Sequence, residues 1–454
     1  MCCVIQQDTM PAQGSRRFYT QANNAPPLPM HLSRQLCALG GVLRVAGSLL
    51  SSRNSSIDIE LPRVVGFNPQ AQLVSTTGAH AYRAAAPSDF RGPCPGLNAM
   101  ANHGYINRNG MVGYVEAILV AYNTFGMGLL VSTLASTLAL YGADLLDPRL
   151  PYSIGEKPPP GLVSGLLGGL VGQPKGMSDT HNQFESDSSA TRCDLGESIK
   201  LQPQVLQDFL DLYAADPDPK HINAVASKHH ANRVRHSIAN NPYFFYGPIQ
   251  MVSGLLRPLL ELKYRLQLVT CITTLIPANL FSNHSAEFPD GYVSPDVLLS
   301  FYGARRTPSG TIVYTRGSER IPDLFYRRPD DWNEVTVLTP QMLYMWTTYP
   351  ETLIVGGNTG TRNSFIPLDM HAFTRGAYGL DDLLKGHNAM CFLLQAAQTL
   401  FLDTLDGLEA ILEEVLRVVG GVLAELTCPE LRGFDMRVLE QYPGWRMSQR
   451  KKGL

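Results

Sequence analysis

From Ala117 to Ala143 the chain carries no charged residue, and this stretch constrains the fold more than any other. It is longer than the ~20 residues that cross a bilayer, so it has to be buried in lipid or in a protein core. Its centre, "AYNTFGMG", holds the polar Asn123 and Thr124 and two glycines. Those residues suit the end of one helix and the start of another better than the middle of a span. Two buried helices joined at Phe125–Gly126 are therefore expected. A chain of 454 residues with 44% hydrophobic content can bury a core large enough to take them.

The rest of the composition mainly excludes. A formal net charge of -2 gives no electrostatic case for nucleic acid. The basic ending "RMSQRKKGL", 446–454, reads as a solvated tail. Eight cysteines with no CxxC pair are neither a disulfide scaffold nor a zinc ribbon. Sequons stand at Asn54 and Asn283 and matter only in a secreted chain. Residues 1–65 read as a poorly ordered leader without a clear signal peptide, since Arg44 interrupts the weak apolar centre of "HLSRQLCALGGVLRVAGSLLSS".

Along the remainder, apolar spacings of three and four dominate. "GEKPPPGLVSGLLGGLVGQPKG", 155–176, is a Pro/Gly-rich connector. "LQPQVLQDFLDLYAA" reads as an amphipathic helix, and "PLLELKYRLQLVTCITTLIPANLF" as an apolar helix broken near Pro277. Segment 300–370 mixes short β-branched runs such as "GTIVYT" with turns such as "VGGNTGTRNSF". A long amphipathic helix, "CFLLQAAQTLFLDTLDGLEAILEEVLRVVGGVLAEL", follows. The fold class is mainly α, with few short strands.

Chemistry concentrates in two places. In "RGPCPGLNAMANHG", 91–104, Cys94 lies between two prolines. Pro95 suits the first residue of a helix, because its missing N–H costs nothing there and its φ is preset. Cys94 is then the cap residue, with the amides of Gly96 and Leu97 aimed at its sulfur, a setting that favours a thiolate. Such a thiolate serves as a nucleophile or a metal ligand, and a buried turn cysteine stays open beside both. In "HNQFESDSSATR", 181–192, Glu185, the carbonyl of Ser186 and the hydroxyl of Ser189 are hard oxygen donors of the kind Mg²⁺ takes.

Together "PCPGLNAMANHGYINRNG" and "ESDSSATR" resemble the fungal haem-thiolate peroxidases, the chloroperoxidases and unspecific peroxygenases, which carry Pro-Cys-Pro followed by Glu-x-Asp-x-Ser. "FNPQAQLVSTTGAHAYRA", "NNPYFFYGP", "SNHSAEFPDG" and "LYMWTTYPETLIVGGNTGTRNSF" agree. The resemblance implies a single large helical haem-peroxidase (chloroperoxidase-like) domain over 66–445. It implies a haem-thiolate peroxidase/peroxygenase that uses hydrogen peroxide to oxidise or oxygenate small hydrophobic organic substrates through a Cys-ligated ferryl haem. Cys94 would ligate the iron of haem b, with the amides of Gly96 and Leu97 moderating the sulfur. Glu185, Ser186 and Ser189 would hold Mg²⁺ against a haem propionate. At Ser186 some relatives carry His and others Gly, so no imidazole is supplied there. The Val269–Leu280 helix would form the substrate side. Relatives with a C-terminal disulfide suggest a Cys391–Cys428 link, and family resemblance favours an extracellular location. A haem-binding member without turnover and a membrane-associated protein without haem are the alternatives.

The distal acid–base residue departs from the pattern. The family places a glutamate on the helix over the haem, but "LVTCITTLIPANLF" contains no acid. Glu261, in "LLELKYRL", and Glu287, in "NHSAE", are the nearby carboxylates. Glu287 is favoured, because on a helix His284 and Glu287 would share one face; a sugar on Asn283 would instead make this stretch a surface turn, and that reading stays open.

Overall fold

The computed structural model describes residues 66–142, 150–159, 176–179, 187–192, 194, 199–247, 268–329, 339–383, 385–386, 388–389, 391–392, 395 and 427–450. The leader, residues 160–175 of the connector and most of the long C-terminal helix expected from Cys391 lie outside them.

The first site-bearing element, α1 (Pro95–Asn102), starts as its sequence requires: Cys94 is the extended cap residue and Pro95 opens the helix. A two-residue strand β1 (Met111–Val112) leads into α2 (Tyr114–Phe125), whose first turn is closed by the Gly113 amide donating to the Glu116 carboxylate at 3.1 Å. This helix stops at Gly126 in the left-handed conformation, φ 67°. Then α3 (Leu129–Gly142) begins. The uncharged run is thus two helices that pack on each other, and the Tyr114 and Thr137 hydroxyls meet at 2.9 Å between them. Among the described residues no helix is long and apolar enough to cross a membrane.

Strand β2 (Tyr152–Ser153) pairs antiparallel with β1. Next come α4 (Pro203–Ala215) and α5 (Ile222–Asn240), followed by β3 (Phe245–Tyr246) and α6 (Leu268–Leu280). Helix α5 packs against both α4 and α6. The expected break at Pro277 does not occur, and the helix runs through it to Leu280. Proline removes one bond to the residue four back, and only three residues of helix remain beyond it, so the loss falls in the last turn. After α7 (Pro295–Phe301) the mixed region resolves into a hairpin of β4 (Ala304–Arg306) and β5 (Ile312–Tyr314). Helix α8 (Thr339–Thr348) precedes β6 (Gly356–Asn358) and β7 (Phe365–Pro367), which form a three-stranded sheet in the order β3-β6-β7. The last described helix is α9 (Pro443–Arg450).

Buried apolar residues from Val74 to Trp445 form one contiguous cluster. Its middle is aromatic: Phe281 stacks on Phe301 at 4.1 Å between centroids, and Phe125 approaches both at 5.9 Å. These rings join the ends of α2, α6 and α7, the three elements that close round the site. Near the C-terminus Cys391 and Cys428 form a disulfide, beside the stacked pair Phe373 and Phe434.

Candidate active site

Cys94 is a free cysteine. It is half-buried by accessibility, but the surface it keeps faces a cavity in the protein. Burial pushes its thiol pKa up. The amides of Leu97 and Gly96 and the charge of Arg192 pull in the opposite direction. Those amides point at the sulfur without completing a formal cap hydrogen bond, and burial outweighs them, so the thiol is raised where the cap position alone suggested a favoured thiolate.

The cavity has a volume of about 170 Å³ and opens to solvent. One wall is α3, which presents Ser132, Ala135, Ser136 and Ala139; this one-turn spacing places four small side chains on a single face. Phe125 from α2 and Ile276, Pro277, Leu280 and Phe281 from α6 and its end supply the apolar surface. Tyr152 and Tyr302 turn buried phenols towards it. Burial pushes the Tyr302 hydroxyl up to about 12 and the Tyr152 hydroxyl higher still, so both stay protonated hydrogen-bonding groups at neutral pH.

The remaining wall is the loop Ser189–Arg192. Its carbonyls are each taken by a donor from elsewhere in the chain. Arg233 Nε donates to Ser189 O at 3.0 Å, and His229 Nε2 to Ala190 O at 2.8 Å. The Gln202 amide reaches Thr191 O at 2.9 Å, and Arg233 Nη2 reaches Arg192 O at 3.4 Å. Upstream, Asn241 bridges Asp187 and Asp194. Burial, and then the Asp187 charge, push Asp194 up to about 6. Arg192 is only 3% exposed. Its Nη2 donates to Pro93 O at 3.1 Å, tying this loop to the Cys94 turn, while Nη1 is buried with no hydrogen-bond partner among the described residues. A buried guanidinium nitrogen left open beside a cavity is costly unless an anion completes it.

Cys94, Gly96, Leu97 and Ser189 thus meet at one cavity. Glu185, Ser186 and Glu261 lie outside the described residues, and within those residues no cluster of His, Cys, Asp or Glu could hold a metal. The helical reading of His284 and Glu287 is corrected. Asn283 and Tyr292 pair across a tight turn containing Pro289 and Gly291, with Ser285 and Phe288 bonded inside it. His284 is buried and bonded to Pro289 O at 2.8 Å, whereas Glu287 is exposed and absent from the cavity wall. Sequence reasoning missed Arg192, although it ends the quoted acidic motif. It also missed the α3 wall, whose small residues recur at 132, 135, 136 and 139.

A helix-capped thiol in an apolar cavity, within a mainly helical domain, defines a class, and the comparisons specify it. Residues 80–330 match the model of "Peroxidase, family 2". The chain is 35% identical over 402 residues to the dothistromin biosynthesis peroxidase dotB of Dothistroma septosporum, covering 87% of this chain and 91% of that protein. It is 31% identical over 428 residues to the aromatic peroxidase fscJ of Fusarium equiseti, covering 88% and 93%. It is also 31% identical over 275 residues to an aromatic peroxygenase of Cyclocybe aegerita, covering 58% and 61%. The chain belongs to peroxidase family 2, and it is an oxidoreductase that acts with peroxide.

Proposed function

We propose that this protein is a haem-thiolate peroxidase or peroxygenase that oxidises or oxygenates small hydrophobic, aromatic molecules with hydrogen peroxide. The observation that carries the reading is one cavity lined by both Cys94 and Arg192, a residue whose Nη1 is buried with no hydrogen-bond partner among the described residues. Haem b is a flat, largely apolar ring with a central iron and two carboxylates; Cys94 would hold the iron, Arg192 one carboxylate and the apolar walls the ring. Bound there, haem supplies peroxide activation, with a thiolate ligand favouring O–O cleavage.

The residues of the chain do the rest. Cys94 would supply a sulfur ligand to the iron, losing its proton on binding. The Gly96 and Leu97 amides withdraw electron density from it and protect it from oxidation. Gly96 is not required by packing, since an added Cβ would meet the Phe125 ring at 3.5 Å and the Phe281 ring at 3.8 Å, both ordinary contacts. Arg192 receives a carboxylate. Glu185, the Ser186 carbonyl and the Ser189 hydroxyl would hold Mg²⁺ against the second carboxylate. Ile276, Leu280, Phe125 and Phe281 exclude water and favour apolar substrates. Two relatives are named for aromatic oxidation, which agrees with those walls. The Cys391–Cys428 disulfide supports an oxidising, extracellular setting.

The test is conversion of an electron-rich aromatic by the haem-loaded protein with ¹⁸O-labelled hydrogen peroxide, run beside Cys94→Ser. Turnover that depends on peroxide and falls at least a hundredfold in the variant is expected. Label in the product marks oxygenation, and its absence marks oxidation. Equal turnover in Cys94→Ser would contradict the assignment.

A further inference from the structure

We propose that Glu319 is the positioning residue of the Cys94 turn, acting through Asn98 on the backbone of Gly92. The proposal rests on Cys94 as the haem ligand.

Asn98 is 1% exposed, one turn into the helix that Cys94 caps. Its Oδ1 accepts from Gly92 N at 3.0 Å, and its Nδ2 donates to Gly92 O at 2.9 Å. Both polar groups of one loop residue are therefore held by one side chain, two residues before the cysteine. The second Nδ2 hydrogen goes to Glu319 Oε1 at 2.9 Å, from a segment 221 residues away. Glu319 Oε1 accepts that hydrogen, so it joins Gly92 in fixing which end of the Asn98 amide faces Gly92 N–H and which faces Gly92 C=O. Reversing the amide would oppose like groups at all three contacts.

The anchor is itself fixed. Asn102, one turn further along the same face, donates to Gly317 O at 2.9 Å and Glu319 O at 2.7 Å. Its Oδ1 accepts from Arg91 Nε at 3.0 Å and Nη2 at 2.7 Å. Two asparagines thus bolt residues 91–92 to residues 317–319. Arg316 adds a bond to Arg91 O at 2.7 Å. Gly92 has no freedom to absorb a shift, because it lies hard against the Ile154 carbonyl.

Glu319 is a poor choice for stability alone. It is 1% exposed, its Oε1 has Asn98, and its Oε2 is buried with no partner among the described residues. An apolar side chain would fill the same space without that unmet oxygen. Neither Glu319 nor Asn98 lines the cavity, so their effect reaches the site through the turn.

The experiment compares full-length, haem-loaded wild type, Glu319→Gln and Glu319→Leu. It reads the ferrous carbon-monoxide spectrum and far-UV circular dichroism. Glutamine keeps the acceptor and removes the charge; leucine removes both. The clamp predicts that Glu319→Gln retains the red-shifted thiolate signature. Glu319→Leu, with unchanged circular dichroism, converts at least half of its haem to the unshifted form. A leucine variant with the full signature overturns the proposal, as does a glutamine variant as damaged as leucine. If leucine prevents folding, Asn98→Asp takes its place: it sets a carboxylate against Glu319 at nearly constant volume and must lose the same signature. A wild type without the thiolate signature overturns the haem-thiolate reading and the clamp with it, an outcome distinct from intact signatures in every variant.

Discussion

A Cβ at Gly92 would lie 1.9 Å from the carbonyl oxygen of Ile154, a backbone atom with no rotamer to escape to. Gly92→Ala therefore displaces either the Cys94 turn or β2, and a loss of more than ~2 kcal/mol is expected. Thermal denaturation checks this, and an unchanged Tm would contradict the packing. Arg192 makes the complementary point. Arg192→Met removes both the bond to Pro93 O and the buried, unpartnered nitrogen of a cavity-lining residue. Haem should then transfer to an excess of acceptor protein at least ten times faster than from wild type, with Arg192→Lys between the two. Equal transfer rates would remove the guanidinium from the account.

Helix α5 carries a pH dependence that its sequence does not announce. His229 donates through Nε2 to Ala190 O, and burial lowers its pKa to about 4. Burial, reinforced by the charge of His229, lowers that of its neighbour His230 to about 3. Both are neutral in the folded protein near pH 5, while the unfolded chain takes up protons below about 6.5. Stability is thus fully present above pH 6.5 and falls as pH drops towards 4, by on the order of 3 kcal/mol for His229. His229→Gln keeps a donor for Ala190 and should flatten denaturation midpoints measured between pH 7 and 4.5. An equally steep profile would show that other groups govern the acid limb. At the C-terminal side, the Cys391–Cys428 link spans a sequence separation of 37, for which the chain-entropy account gives roughly 2–4 kcal/mol. Replacing both cysteines by alanine should lower the urea unfolding free energy by that amount, and no change would assign the bridge no stabilising role.

Across the whole molecule, the features legible in the sequence were those set by neighbours along the chain. Pro95 starts α1, Gly126 parts the two apolar helices, and a thiol at a helix cap receives amides from the next turn, all local rules. What escaped depends on contacts between distant segments. Arg192 becomes a site residue only because Pro93, 99 positions away, accepts its bond. Glu319 matters only through Asn98. The reading of His284 and Glu287 failed because pairing of Asn283 with Tyr292 and the turn at Pro289–Gly291 override a two-residue spacing argument. The central claim, that Cys94 presents its sulfur to a haem in this cavity, is tested most directly by the ferrous carbon-monoxide spectrum of the purified, haem-loaded protein beside Cys94→Ala. The account predicts the red-shifted band of thiolate-ligated haem in the wild type and its loss in the variant. The same red-shifted band in Cys94→Ala, or no haem band in the wild type, would contradict it.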